Sequence, residues 1–374
     1  MAKRIEYLDI ARGIGILLVV LGHNDFGSLS PFFHQVIYSF HVPLFFFLSG
    51  YFTNISSSFL DYSKKRFHSV LKPYLFTIFL IYFASVSFEK MGFQTALVRI
   101  FKSLYGSINY IDWAQLWFLP NLFVVSLYAF VFIVVVGKIQ NRWFRWAVLL
   151  GTLAISLPLL RIFYPFSLSI FGKDYELFGL PFSLDLMLLS GFFFILGNEI
   201  RQVSSEKTFD SLLLLIGTGA GLIVLNSLFP HSVDIAKRIY DSFFVNTAEA
   251  ILGILFALAV ARQIELHASR LAAPLKYFGN ISLIILLFHV PVQGFWGQKL
   301  MTLTGNFPLS ILVGFIMGVL GPVLIYEIFI RFNPVASFWF GRKAEAPQPE
   351  EPSAQEGPTA AEPAKARAAE IKEP

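Results

Sequence analysis

Arg12 and His23 bracket ten uncharged residues, "GIGILLVVLG". Eleven residues make almost three turns of an α-helix, so both side chains fall on one face, about 16 Å apart along the axis. One stripe of one helix would then carry a fixed cation at one end and a titratable imidazole at the other. Arginine stays charged and binds phosphate or carboxylate oxygens in pairs. Histidine titrates near neutral pH and suits the role of general base. Asp9 lies three residues before Arg12 and can pair with it. A plainer reading stands beside this one: Arg12 snorkels to lipid headgroups and His23 merely ends a helix at the interface.

Two more histidines share one tetrapeptide. His41 lies in "SFHVPLFFFLSGY" and His289 in "LIILLFHVPV". Proline frees a backbone carbonyl one turn earlier and often kinks its helix, so each FHVP places an imidazole beside an expected kink. The surrounding sequences do not match, so this is no gene repeat. Each histidine could equally bond a neighbouring helix. Asn121, Asp185, Glu249 and Glu327 also interrupt apolar runs; each could orient a histidine, though an interhelical hydrogen bond is the simpler role for any one of them. No pair has the H-E-x-x-H spacing. His34 and His41 are seven apart but lack a third ligand, so no metal is expected. The chain has no cysteine, which rules out disulfides and a thiol acyl-enzyme. A Ser or His acyl-intermediate stays open.

The elements that must hold these groups are membrane helices. The chain has 374 residues, 56% hydrophobic and 14% charged, whereas a soluble domain carries about 25% charged residues. An all-α, polytopic membrane bundle follows. Ten spans are expected at 8–24, 32–54, 70–88, 115–136, 144–164, 180–198, 210–229, 242–262, 275–296 and 307–330. Lys3 and Arg4 before an apolar run mimic a signal peptide, but no A-x-A-like site follows, so 8–24 is expected as a retained first helix. With the N-terminus in the cytoplasm, 17 Lys and Arg fall on inner segments and 8 on outer ones, which supports ten spans with both termini inside. The net charge of +5 therefore serves orientation, and no nucleic-acid partner is expected. The membrane domain is expected to cover 1–340. Residues 341–374 are rich in Pro, Ala and Glu and are expected to form a disordered cytoplasmic tail.

Two segments invite over-reading. "GTGAGL" at 217–222 lies inside an apolar run with no strand before it, so Gly217 and Gly221 read as a small-residue packing face; Gly314 and Gly318 suit the same reading. The basic loop at 61–74, "DYSKKRFHSVLKPY", is either an anchor on the inner face or a cradle for a polyanion.

Taken together, the motifs resemble the acyltransferase 3 family of membrane O-acyltransferases. The likeness rests on Arg12 and His23 within "YLDIARGIGILLVVLGH", "FHVPLFFFLSGYF" at 40–52, "KKRFHSVLKPYLF" at 64–76, "LWFLPNLF" at 116–123 and "FGNISLIILLFHVPV" at 278–292. "WFLP" leans toward the sugar-acetylating, fucose O-acetylase-like branch. The resemblance implies a ten-helix bundle in a bacterial inner membrane. It implies acyl-CoA, usually acetyl-CoA, as co-substrate, and a sugar hydroxyl of a surface polysaccharide, exopolysaccharide or lipid-linked precursor as acceptor. Arg12 and His23 take the family's catalytic places, with Arg12, Lys65 and Arg66 expected on the donor phosphates. His41, Asn121 and His289 are the expected acceptor-binding residues. Some members carry R-x-x-R after the second helix; here Arg66 takes the first place and Ser69 stands in the second. Two other readings stay open: succinyl in place of acetyl, and a transporter or flippase for sugars or lipid-linked glycans. No repeat of two halves, such as many transporters show, is visible.

Overall fold

Helix α1 (Glu6–Gly22) runs through the middle of the molecule, and Tyr7, Leu8, Ile10, Ala11, Ile16 and Val20 on it are fully buried. In this computed structural model the described residues are 5–229 and 232–345. After α1 come a short α2 (Phe26–Leu29), α3 (Pro31–Tyr51) and α4 (Phe59–Arg66). A wide turn over Phe67–Leu71, in which the Lys72 N–H bonds the Phe67 carbonyl, passes into α5 (Lys72–Ser87). Next are α6 (Phe93–Leu104), α7 (Phe118–Val136), α8 (Arg142–Ile162), α9 (Met187–Val203) and α10 (Leu212–Leu228). The chain ends through α11 (Phe243–His267), α12 (Ser269–Asn280), α13 (Ser282–Thr304), α14 (Phe307–Ile325) and α15 (Pro334–Trp339).

Every expected span coincides with helix. Among the described residues seven helices are long and apolar enough to cross a membrane, and α12 with α13 makes a bent eighth, broken by 83° at Ile281. The remaining two are α1 and α10, with 17 residues each. The protein is a multi-pass membrane protein. The sharp bend corrects the expected span at 275–296, whose first residues belong to α12. Helices α3 and α13 continue through Pro43 and Pro291, so the kinks expected beside His41 and His289 do not break either helix. The carbonyl that Pro291 leaves without an N–H is that of Leu287, and Gln115 Nε2 donates to it at 3.2 Å.

Two small hairpins lie in connections. β1 (Phe166–Ile170) pairs antiparallel with β2 (Lys173–Leu177), closed by Phe171 and Gly172, both at positive φ. β3 (Val233–Asp234) pairs with β4 (Ile239–Tyr240). Between them Arg238 forms a bidentate, fully buried ion pair with Asp185, at 2.7 and 3.1 Å. Asp185, flagged by sequence as a buried carboxylate, thus ties the turn before α9 to a connecting loop.

Close approach of α1 and α12 sets the site. A Cβ at Gly13 would collide with the Leu275 carbonyl oxygen, and one at Gly279 with the Asp9 carbonyl oxygen. Two glycines facing each other let the backbones touch. On α10, Gly219 and Gly221 face Phe256 and Leu252 of α11, whereas Gly217 meets nothing within 4 Å; of the expected packing pair Gly221 holds its place, and Gly219 stands where Gly217 was expected. Gly314 and Gly318 do pack closely, against α13. The described chain holds together as one unit as far as Ala344. From residue 346 on, the expected tail lies outside the described residues.

Candidate active site

A cavity of about 570 Å³ opens beside α1. Arg12, Ile16, Val19 and His23 all line it. Their spacing of four, three and four residues is one face of an α-helix, so one stripe of α1 forms a wall with a cation at one end and an imidazole at the other. The opposite walls come from α3 (His41, Phe45, Ser49), from Trp117, Phe118 and Leu119 at the start of α7, and from Leu283 and Leu286 of α13. The middle of the cavity is thus mostly apolar and aromatic.

Its Arg12 end is cationic. Arg12 lies 3.5 Å from Asp9 and over the Phe52 ring at 4.6 Å. Arg66 donates to the Tyr62 hydroxyl at 3.0 Å and to Thr53 Oγ1. Arg342 donates to the Asn280 carbonyl at 2.8 Å, at the break between α12 and α13. Lys343 follows it in the lining. The cavity thus carries Arg12, Arg66, Arg342 and Lys343, and no Asp or Glu among the described residues lines it. Such a mouth attracts a polyanion.

Arg342 reaches this place because Gly341 can. Gly341 has φ +69°, and a Cβ there would meet the His68 carbonyl oxygen at 2.7 Å. The chain therefore folds back against the wide turn that carries Ser69. Ser69 holds the second place of the R-x-x-R pattern, and it lines the same cavity as Arg342. Arg342 thus brings a guanidinium from the other end of the sequence to the cavity that Ser69 lines. Sequence reasoning counted Arg342 and Lys343 only as inner charges at the start of the tail.

At the other end three imidazoles gather. The rings of His23 and His289 are 5.3 Å apart. His289 is fully buried; its Nδ1 bonds the carbonyls of Ile285 and Leu286 at 2.9 and 3.0 Å, and its Nε2 has no partner among the described residues. His41 Nδ1 bonds the Ile37 carbonyl at 2.8 Å. Carbonyls only accept, so both rings carry their proton on Nδ1 when neutral and present a lone pair at Nε2. Gln293 Nε2 donates to the His23 carbonyl at 2.7 Å and holds the end of α1 against α13.

Three expected site residues do not line the cavity. Lys65 is exposed and does not line the cavity, because one residue along α4 turns its side chain about 100° away from Arg66. Asn121 is buried beneath the wall, where its Nδ2 donates to the Ser183 carbonyl at 2.8 Å. His289 sits behind His23 rather than on the cavity surface. Gln115, Asn280 and Gln293 were not singled out by sequence, although Asn280 stands inside the quoted "FGNIS".

Residues 5–327 match the family model described as an acyltransferase domain. The chain belongs to this acyltransferase family. Among related proteins, Nodulation protein NolL of Sinorhizobium fredii is 32% identical over 177 residues, covering 42% of this chain and 45% of that protein. Nodulation protein NolL of Mesorhizobium japonicum is 29% identical over 180 residues, covering 42% and 44%. Glucans biosynthesis protein C of Escherichia coli is 26% identical over 342 residues, covering 83% and 84%. The match thus spans less than half the length of the two nodulation proteins. No solved structure matches. The matched region contains every cavity-lining residue except Gly341, Arg342 and Lys343.

Proposed function

We propose that this acyltransferase moves an acyl group, acetyl in the first instance, from acyl-CoA to a sugar hydroxyl of a surface polysaccharide, exopolysaccharide or lipid-linked precursor. One observation carries the reading: a single cavity has four cations at one end and His23 at the other. Arg12, Arg66, Arg342 and Lys343 suit the phosphates of a CoA donor. The apolar wall between suits a long, thin acyl-pantetheine arm reaching along about three turns of α1. The relative named for glucans biosynthesis supports a carbohydrate acceptor.

His23 is then the general base. It accepts the hydroxyl proton as the sugar oxygen bonds the acyl carbon. The carbon–sulfur bond breaks, and the sulfur takes the proton from His23. His289 Nε2, a lone pair near the His23 ring, suits a partner that steadies the charged imidazolium. His41 lines the same wall and suits contact with the reacting groups. The excess of Lys and Arg on segments sharing the Arg12 end supports an inner-membrane protein with both termini in the cytoplasm, where acyl-CoA is available.

The test compares ester-linked acyl content of surface polysaccharide in a strain lacking the gene with strains restored by wild type, His23→Ala or Arg12→Ala, at matched membrane levels. Wild type is expected to restore the ester and both variants to fail, and mass spectrometry of the ester separates acetyl from succinyl. Full restoration by the variants rejects the site. Loss of glycan export with no change in acylation points to a transporter.

A further inference from the structure

His23 lines a second cavity as well. On the side away from Arg12, about 490 Å³ opens between the residues just after α1, the C-terminal half of α13 and the N-terminal half of α14. Its polar lining includes Asn24, Asp25, Gln293, Gln298, Thr302 and Ser310, and no Lys or Arg among the described residues lines it. Space is made by Gly294, Gly297 and Gly314, which bring no side chains into it. Gln293 is 4% exposed, and its Oε1 is buried without a partner among the described residues. A buried amide oxygen left open costs stability unless a ligand or water donates to it.

The two cavities differ in chemistry. The first has a cationic mouth and an apolar, aromatic bore. The second holds amides, hydroxyls and the Asp25 carboxylate beside Val290, Met301, Phe307 and Ile311. Its polar groups pair with the hydroxyls of a neutral sugar, and among the described residues it offers a phosphate no Lys or Arg. They meet at one imidazole. We propose that the second cavity binds the carbohydrate acceptor, so that donor and acceptor reach His23 from opposite ends of α1. This rests on the acyl-transfer reading above and adds the route of the acceptor. Its hydroxyl proton passes to His23, its oxygen bonds the acyl carbon, and the CoA sulfur leaves toward the Arg12 end with a proton. Only the acyl group then moves from one side of the bundle to the other.

Gly294→Leu tests this. A Cβ at Gly294 meets no heavy atom within 4 Å, so the added side chain grows into open space. Gly217→Leu, at another glycine with nothing within 4 Å, controls for the change itself. Two quantities are read: binding of acetyl-CoA to purified protein, and ester content of surface polysaccharide in the restored strain. The expected result for Gly294→Leu is acetyl-CoA binding equal to wild type with ester content lowered about tenfold or more, since displacing the acceptor from His23 removes alignment. Gly217→Leu should match wild type in both. The double variant Gln298→Ala with Thr302→Ala removes two wall groups without adding bulk and should lower ester content about fivefold. Wild-type ester content in both Gly294→Leu and the double variant overturns the proposal. Loss of acetyl-CoA binding in Gly294→Leu, with Gly217→Leu intact, overturns it too, because the cavity then belongs to the donor. A wild-type protein that binds no acetyl-CoA and restores no ester overturns acyl transfer itself, and the acceptor site with it.

Discussion

On the proposed reading His23 transfers the proton while Arg12, Arg66, Arg342 and Lys343 anchor the donor, so the two classes of variant should separate in kinetics. His23→Ala should lower acyl transfer by about 100- to 10,000-fold, the usual contribution of a positioned general base. Its acyl-CoA affinity should stay near wild type, because the proposed phosphate site lies about three turns away. Equilibrium binding of acetyl-CoA beside the transfer rate checks both halves. Arg66 and Arg342 should behave in the opposite way. Removing either guanidinium deletes a charge-assisted contact and should weaken acetyl-CoA binding about tenfold. Lys65→Ala, exposed and outside the cavity, should leave it unchanged; an equal loss in Lys65→Ala would mean that a diffuse basic surface holds the donor. At this scale the sequence exposed the type and spacing of Arg12, His23 and Arg66. It could not separate Lys65 from Arg66, since neighbours in sequence with the same charge differ only in the direction their helix turns them.

Helix α1 holds its register through contact with α12, and that contact depends on the absence of side chains. Gly13→Ala places a methyl against the Leu275 backbone carbonyl, which cannot rotate aside as a side-chain end could. The expected cost is about 1–3 kcal/mol from overpacking, read as a lower Tm in detergent. Gly217→Ala, at a site with open space, should not lower Tm. The Arg238–Asp185 pair gives a second expectation for elements. Both side chains are buried, at 1% and 0% exposure. Asp185→Ala leaves an uncompensated guanidinium and should destabilise the fold by about 3–5 kcal/mol, while protein that does fold should bind acetyl-CoA normally. A change in donor affinity instead would tie this pair to the cavity. Hydropathy made the helices themselves readable, because a span must be apolar over about 20 residues wherever it packs. The bend at Ile281 escapes the span reading because that reading extends the apolar run of α13 back over α12, although α12 carries Arg270 and Lys276 and ends in Gly279 and Asn280. Helix α1 packs against α12, and Arg342 bonds the Asn280 carbonyl at the break.

The whole molecule is closed by a segment that composition assigned to the tail. Gly341, Arg342 and Lys343 line the cavity, although the family match ends at residue 327. Truncation after Phe340 should therefore weaken acetyl-CoA binding about tenfold or more, through loss of two cations, while truncation after Glu345 should leave it unchanged. Isothermal titration of the two shortened proteins decides between them. Equal behaviour of the pair would show that Arg342 and Lys343 take no part in holding the donor.

The sequence by itself determined the helical membrane class, the places of the apolar helices apart from the break at Ile281, and the face of α1 that carries Arg12 and His23. Those properties are local: they follow from hydropathy over one span and from 3.6 residues per turn. Only the tertiary structure decided which of the other polar groups joins that face. His289 meets His23 across 266 residues of chain, counted from their numbers, and Arg342 arrives beside Ser69 from the far end. Helix packing makes such meetings, through close approach at Gly13, Gly279 and Gly341, and no period along the chain records them. The second cavity belongs to the same class of fact. It exists because α13 and α14 meet through small residues beyond His23, and empty space has no letter in a sequence.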